Sequence, residues 1–424
     1  MFFDRPEAGS RALLVHVEQR DSELATSSEL KELAESACLQ AVGSVLSNRR
    51  FPHPATFLGQ GKVQEIAELI PTVKAALVII DHELSPSQQR NLETALACRV
   101  MDRTGLILEI FSQRARTHEG KLQVELAQLA HASTRLVKGW THLDRQRGGS
   151  GRAGGTSAGL TGTGETQLEV DQRLLAVRTR RITNRLDKVR RQRSQNRRSR
   201  KRSEIKTVSL AGYTNAGKST LFNRLCESEV READQLFATL DPTLRRLSIP
   251  VIGKIVLSDT VGFIRQLPHS LVDAFRATLE EVTAADLILH VVDVAADFRS
   301  ERIVQVNEVL DEIGANQVPK LMVYNKVDAT GSRPRLERDA SGRPFKVWVS
   351  AHTGEGLDLL VDAMGEILAD ELVETQITLQ PHEGNIRAKL FALGAVVHED
   401  TDHDGQIRMD LRIDQSDLTR LQVK

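Results

Sequence analysis

The 424-residue sequence is poor in several things. Cysteine occurs three times, at Cys38, Cys98 and Cys226, isolated and odd in number. That excludes a disulfide framework and a zinc-ligand pattern and predicts reduced thiols. Long apolar runs are missing. The longest, at Ala75–Ile80 and Leu287–Val294, fall far short of the roughly 20 residues a membrane-spanning helix needs. The start, Met1 to Pro6, has no basic stretch leading into an apolar core, so no secretion signal is expected. Net charge is absent too, with 57 Lys+Arg against 57 Asp+Glu, which speaks against a globally basic nucleic-acid binder. What remains is ordinary globular composition, 40% hydrophobic and 27% charged. At roughly 150 residues per domain, the length predicts two to four domains.

The zero is unevenly built. Between Thr141 and Lys206 there are 18 lysines and arginines but only six acidic residues, a surplus of twelve. The rest of the chain carries the opposite surplus. Such asymmetry points to a polyanion contact through the basic segment.

Residues 1–112 alternate strand and helix patterns, which predicts a small α/β domain. The candidate strands are Ala12–Glu18, Ala75–Ile80 and Arg99–Asp102. The candidate helices are Glu29–Ala41, Gly61–Leu69, Ser85–Leu96 and Leu106–Phe111. Residues 113–204 predict an antiparallel helical hairpin. Leu122, Leu126, Leu129 and Leu136 stripe its first arm. Leu168, Leu175, Ile182 and Val189 repeat every seven residues on the second, with Leu174 and Leu186 beside them. Each arm spans about 25 residues, or roughly 40 Å. Between the arms, residues 147–164 hold eight glycines. A plain linker is one reading of that loop; a flexible tip flanked by Arg145, Arg147 and Arg152 is the other. Residues 205–372 show five apolar strand candidates, beginning at Val208, Ile255, Leu287, Lys320 and Val347, with helices between them, including His269–Glu281. That pattern predicts a doubly wound α/β domain. Residues 373–424 predict a small α+β domain with a strand, a helix and a hairpin near Asp400–Gly405.

The chemistry lies in the third segment. Gly212, Tyr213, Thr214, Asn215, Ala216, Gly217, Lys218 and Ser219 follow one strand and open a helix. This is the phosphate-loop pattern in its required context. Lys218 is expected on the β and γ phosphates and Ser219 on Mg²⁺. Asp259, Thr260, Val261 and Gly262 follow a second strand. There, Asp259 suits the outer shell of Mg²⁺ and the Gly262 amide suits the γ-phosphate. Asn325, Lys326, Val327 and Asp328 follow a third. The Asp328 carboxylate can accept from guanine N1–H and its exocyclic amine, a pattern adenine lacks, while the Lys326 stem stacks along the base. Ser350, Ala351 and His352 follow a fourth strand, where a backbone N–H can meet guanine O6. Phe237, Ala238, Thr239, Leu240 and Asp241 form the candidate switch between the first two elements. Thr239, chosen over Thr243, is the expected second Mg²⁺ ligand. Lys218, Thr239 and Gly262 are thus the expected catalytic set of a Mg²⁺-dependent GTPase binding GTP and GDP.

Several of these stretches together resemble the HflX family of GTPases. They are residues 212–223, the Phe-Ala-Thr-Leu-Asp-Pro-Thr switch of 237–243, Asp259–Ile264, Gly59–Lys62, Asp102–Phe111, and the glycine loop running into Gly164–Glu169. The likeness spans nearly the whole chain and weakens in the tail. His352 stands where many GTPases have lysine. The resemblance implies a P-loop GTPase domain preceded by the small α/β domain and the hairpin. It also implies a factor that binds the large ribosomal subunit and its rRNA through the 141–206 hairpin, and that splits or rescues stalled ribosomes under heat or other stress. A large-subunit assembly GTPase and a non-splitting ribosome-binding module are the alternatives. A cytoplasmic monomer is expected, in part membrane-associated through ribosomes. Some family members hydrolyse ATP through the N-terminal half; no second phosphate loop is present here.

Many GTPases carry a water-orienting glutamine directly after the Asp-x-x-Gly glycine. Here the residue is Phe263, which has no hydrogen-bonding group on its side chain. Slow intrinsic hydrolysis, quickened by the ribosome, is therefore expected. Two other signals weigh little. Asp400, Asp402 and Asp404 begin like a calcium loop, but position twelve is Leu411 rather than glutamate, so a hairpin turn is expected. Asp81, His82 and Glu83 are expected to form a polar loop.

Overall fold

The computed structural model describes residues 9–18, 25–48, 52–147, 167–202, 205–226, 236–237, 239–240, 243–250, 252–265, 279–369, 372–380, 383–392, 395–401 and 406–414. The chain forms two compact units. One comprises Met1–Arg190, Ala233–Asp241 and Ile264–Ala277; the other comprises Arg191–Glu232, Pro242–Phe263 and Thr278–Lys424.

In the first unit, four parallel strands lie in the order β2-β1-β3-β4: β1 (Arg11–Glu18), β2 (Gln40–Asn48), β3 (Leu77–Ile80) and β4 (Arg99–Asp102). The connecting helices are α1 (Ala25–Ser36), α2 (Gln60–Val73) and α3 (Pro86–Leu96), with α4 (Arg103–Arg114) following β4. Strand β2 was not anticipated, and α1 ends five residues before the expected Ala41. Cys38 takes a positive φ of 58°, which stops the helix and sends Leu39 into the strand. The sequence Gln-Ala-Val-Gly-Ser-Val-Leu-Ser-Asn of β2 alternates only weakly, which hid it. The core is Leu13, Val15, Val45, Ile66, Val78, Ile80, Leu92 and Val100.

The hairpin arms are α5 (His118–Arg147) and α6 (Gln167–Arg202), 30 and 36 residues long. Both exceed the expected 25. Thr117 starts α5, its hydroxyl accepting from the Gly120 amide at 2.9 Å. Leu122, Leu129, Leu175, Ile182 and Leu186 bury against one another and fix the pairing. Leu174 departs from the expected seam, being 51% exposed. The burial of Leu136 and Leu168 and the structure of the glycine loop lie outside the described residues.

The second unit is built on a seven-stranded sheet in the order β10-β11-β9-β8-β5-β7-β6. Its strands are β5 (Thr207–Gly212), β6 (Thr243–Ile249), β7 (Gly253–Asp259), β8 (Leu287–Asp293), β9 (Lys320–Asn325), β10 (Arg335–Arg338) and β11 (Pro344–Trp348). The five expected strands run parallel; β6 and β10 add antiparallel edges. These two escaped notice because edge strands are half solvated and carry charge, as Thr-Leu-Arg-Arg and Arg-Leu-Glu-Arg do. Helices α7 (Lys218–Leu225), α8 (Arg299–Glu312), α9 (Val327–Thr330) and α10 (Leu357–Ala369) connect the strands. Most of the expected helix His269–Glu281 lies outside the described residues; residues 279–283 are helical.

The tail sheet pairs β12 (Leu372–Leu379), β14 (Ile407–Asp414) and β13 (Val396–Thr401) antiparallel, with α11 (Gly384–Ala392) packing Leu390 onto Ile377, Met409 and Leu411. Leu411 is thus a core residue on a strand. Asp402 and Asp404 lie outside the described residues. Among the described residues no helix is long and apolar enough to cross a membrane.

Candidate nucleotide site

Strand β5 is buried throughout and ends in the loop that leads to α7. Gly217 caps that helix at φ +85°, and a Cβ there would sit 2.2 Å from the Asn325 amide nitrogen. Glycine is thus required both for its backbone conformation and for space. The Asn325 side chain fastens the loop, donating to Ala216 O and accepting from the Ala351 amide, each at 2.9 Å. One fully buried amide therefore ties the loop to the Ser350–His352 turn.

Lys218 is buried, and its Nζ donates to the carbonyls of Gly212 (3.1 Å) and Tyr213 (2.7 Å). Burial pushes its pKa down to about 8, with Asp259 pulling the other way. The Ser219 hydroxyl donates to Asp259 Oδ2 at 2.8 Å. This hydroxyl and carboxylate form an all-oxygen set of the kind hard divalent cations take. Thr260 is fully buried and donates to Leu210 O at 2.5 Å, so its hydroxyl anchors the strand ends. Val261 is buried beside it. A Cβ on Gly262 would come within 2.8 Å of Thr214 Cγ2 and 2.9 Å of Lys218 Nζ. The chain here passes against the phosphate loop with no room for a side chain.

Phe263 is 3% exposed. Its amide donates to Gly212 O at 3.0 Å, and its carbonyl accepts from the Thr214 amide at 2.7 Å. The residue in the glutamine position is a packed clamp between the two loops.

After β9, Lys326 stands at φ +67° and pairs with Asp293 at 2.8 Å, which fixes its ammonium. Val327 is buried. The Asp328 carboxylate accepts from Ser350 Oγ at 2.6 Å, and Ser350 Oγ accepts from the Thr353 amide at 3.0 Å. Asp328 is therefore held in one orientation by Ser350. The Ala351 amide is committed to Asn325, and the His352 carbonyl accepts from Arg224 at 3.1 Å. Sequence reasoning missed Asp293. Its signal was a carboxylate ending a buried central strand, the usual place for ligand-side groups in such sheets.

The segment expected to be the switch, residues 237–241, belongs to the other unit. Phe237 and Leu240 are buried, and Phe237 meets Phe111 edge-on at 4.7 Å. Thr239 is half-buried, while Ala238 and Asp241 lie outside the described residues. Thr243 is a ladder residue of β6, opposite Asp259.

His290, on β8 opposite Ala211, is 1% exposed. Burial, then Lys320 and Lys218, pull its pKa down to about 4. The unfolded chain binds a proton at this residue between pH 6.5 and 4 and the folded chain does not. Its contribution is thus intact above 6.5 and lost as pH falls, by about 3 kcal/mol at 1.36 kcal/mol per unit. Chemical unfolding at pH 7 and 4.5 should show this loss reduced in His290→Gln; equal losses in both proteins would contradict it.

Residues 25–112 match the family model described as GTP-binding GTPase N-terminal, and 114–200 match GTP-binding GTPase Middle Region. Residues 207–326 match the model described as 50S ribosome-binding GTPase, and 335–424 match the HflX C-terminal domain. The GTPase HflX of Escherichia coli is 51% identical over 422 residues, covering 99% of this chain and 97% of the relative. That of Magnetococcus marinus is 46% identical, covering 92% of this chain and 90% of its own. Among solved structures, a GTP-binding protein from Sulfolobus solfataricus in complex with GDP is 23% identical, covering 85% of this chain and 99% of its own, at a TM-score of 0.44. With a phosphate-loop sequence opening α7 and an Asp-x-x-Gly sequence at the end of β7, and with relatives along its whole length, this chain belongs to the HflX family of P-loop GTPases, enzymes that hydrolyse GTP.

Proposed function

We propose that this GTPase acts on the large ribosomal subunit, splitting or rescuing stalled ribosomes, with heat or similar stress as the occasion. The observation that carries the reading is the α5–α6 hairpin. Its seam buries Leu175, Ile182 and Leu186 and turns Arg173, Arg178, Arg180, Arg181, Arg185 and Lys188 outward. A basic helix presented on a rigid arm neutralises phosphates, which is what an rRNA contact needs. The hairpin, residues 113–204, is on this reading a separate functional domain beside the α/β domain of 1–112, the nucleotide domain of 205–372 and the tail of 373–424. The family-model description of residues 207–326 names the same subunit.

GTP serves here as an ordering ligand. Ser219, with Asp259 beside it, and Thr239 would hold a Mg²⁺ ion, which would supply charge neutralisation at the phosphates. Lys218 and the Gly262 amide contact the γ-phosphate, and hydrolysis releases the ordered segments. Phe263 offers no water-positioning group, so intrinsic turnover is slow and the ribosome accelerates it. Single-turnover hydrolysis with and without large subunits tests this; fast hydrolysis by the free protein would rule it out.

Purified ribosomes sedimented with the protein and a non-hydrolysable GTP analogue test the action itself. Release of subunits supports splitting. Co-sedimentation with intact particles alone would replace it with passive binding, and confinement to immature particles in cells with an assembly role. Removing residues 148–164 should spare GTP affinity and abolish subunit release; unchanged release would remove the glycine loop from the mechanism.

A further inference from the structure

A water that attacks a γ-phosphate is oriented by a hydrogen-bonding group, and the Phe263 side chain supplies none. Three groups of the same unit converge one residue before it. A Cβ on Gly262 would lie 2.8 Å from Thr214 Cγ2 and 2.9 Å from both Thr214 Cα and Lys218 Nζ. The end of the Thr214 side chain, the Lys218 ammonium and the Gly262 backbone therefore border one small space. Lys218 Nζ is committed to the carbonyls of Gly212 and Tyr213. Thr214 brings a second polar side chain to that space.

Thr214 is 4% exposed, and its Oγ1 has no hydrogen-bond partner among the described residues. A hydroxyl buried in that state is costly unless another group meets it. Ser209 and Ser258 are buried in the same way, but they are ladder residues facing each other in β5 and β7. Thr214 stands in the phosphate loop itself. Its backbone is pinned, the amide donating to Phe263 O at 2.7 Å. Two residues earlier the loop lies so close to β8 that a Cβ on Gly212 would sit 2.2 Å from Val291 O. Only the side chain can turn. Its methyl faces Gly262, and a rotation of about 120° about χ1 brings the hydroxyl to that place. The turn breaks no hydrogen bond to any described residue.

We propose that Thr214 is a catalytic residue of GTP hydrolysis, its hydroxyl holding the attacking water that Phe263 cannot hold. A hydroxyl can accept from a water and donate to a phosphate oxygen at once, which sets the water oxygen against the γ-phosphorus. The water oxygen bonds to that phosphorus. The bond from the phosphorus to the bridging oxygen breaks, its electron pair leaving on GDP, and the water's proton passes to an oxygen of the phosphate formed. Thr214 keeps its own proton, because an alcohol is too weak a base to take another at neutral pH. The inference rests on the reading of Lys218 and the Gly262 amide as γ-phosphate contacts and is independent of the ribosomal reading. The competing role is structural, a water held in the cavity that Thr214 lines with Tyr213, His290, Val292 and Arg302.

The test is single-turnover GTP hydrolysis by the full chain without ribosomes, with GDP affinity and thermal midpoint measured on the same variants. Thr214→Val keeps the branched shape and loses the hydroxyl. It should slow hydrolysis about 100-fold, the scale on which a misplaced reacting group acts. GDP affinity should stay within about twofold, because GDP lacks the γ-phosphate. Thr214→Ser, which restores the hydroxyl, should recover most of the lost rate. A wild-type or faster rate in Thr214→Val overturns the proposal and leaves the hydroxyl its structural role. So does a slowed rate that serine fails to restore, or one that falls in step with GDP affinity and thermal midpoint, the signature of a damaged loop. Lys218→Ala, run alongside, reports on the site itself. GDP affinity within about threefold of wild type in that variant would move the phosphate site elsewhere and take the proposal with it. Weakened binding there, beside an unslowed Thr214→Val, overturns the proposal alone.

Discussion

A Lys218→Ala protein is expected to fold and to bind GTP and GDP roughly 200- to 1,000-fold more weakly than wild type. The buried ammonium donates to two carbonyls at the start of the phosphate loop. Its charge-assisted hydrogen bonds to two phosphates would contribute about 3–4 kcal/mol together. The fold should survive, because the side chain bears a desolvation penalty that already drags its pKa down to about 8. Removing it leaves carbonyls that local water can satisfy. Titration with a fluorescent GDP analogue, beside a thermal melt, measures both quantities. Affinity within threefold of wild type would take Lys218 out of the phosphate site.

The second large effect concerns the base. Asp328→Asn should cost GTP affinity about 3 kcal/mol, or some hundredfold, because two acceptors facing two guanine donors become an acceptor and a donor. The same change should raise affinity for xanthosine triphosphate, whose oxygen replaces the exocyclic amine. Ser350 makes the effect sharp. Its hydroxyl holds one Asp328 oxygen at 2.6 Å, so the carboxylate is fixed before binding and little rearrangement can soften the mismatch. Competition between the two nucleotides on the variant gives the answer. Unchanged preference for GTP would mean that Asp328 does not read the base.

Much of this was legible in the chain itself. A phosphate loop must follow a strand and start a helix, and Gly212–Ser219 does both between β5 and α7. The parallel strands beginning near Val208, Ile255, Leu287, Lys320 and Val347 were visible as short apolar runs, since strands buried on both faces leave no polar alternation. Heptad spacing on α6 located Leu175 and Ile182 in the seam, with Leu186 expected beside them. The surplus of twelve positive charges between 141 and 206 was visible by counting. Elements with mixed faces were not legible: β6 and β10 are charged edges, and β2 alternates weakly.

Local sequence determines what depends on neighbours within a turn or two: the glycine conformations of the phosphate loop, the strand-to-helix switches and the helical seam. Tertiary structure alone decided which distant groups share a buried space. Asn325 fastens Ala216 to Ala351, Asp293 fixes Lys326, and Phe263 is a clamp between loops. Asp81, which sequence places in a polar loop, has a fully buried carboxylate beside Arg103 and Arg265. The reason is dielectric. A charge seen in sequence is taken as solvated by default, and only packing shows where water has been removed and a specific opposite charge put in its place.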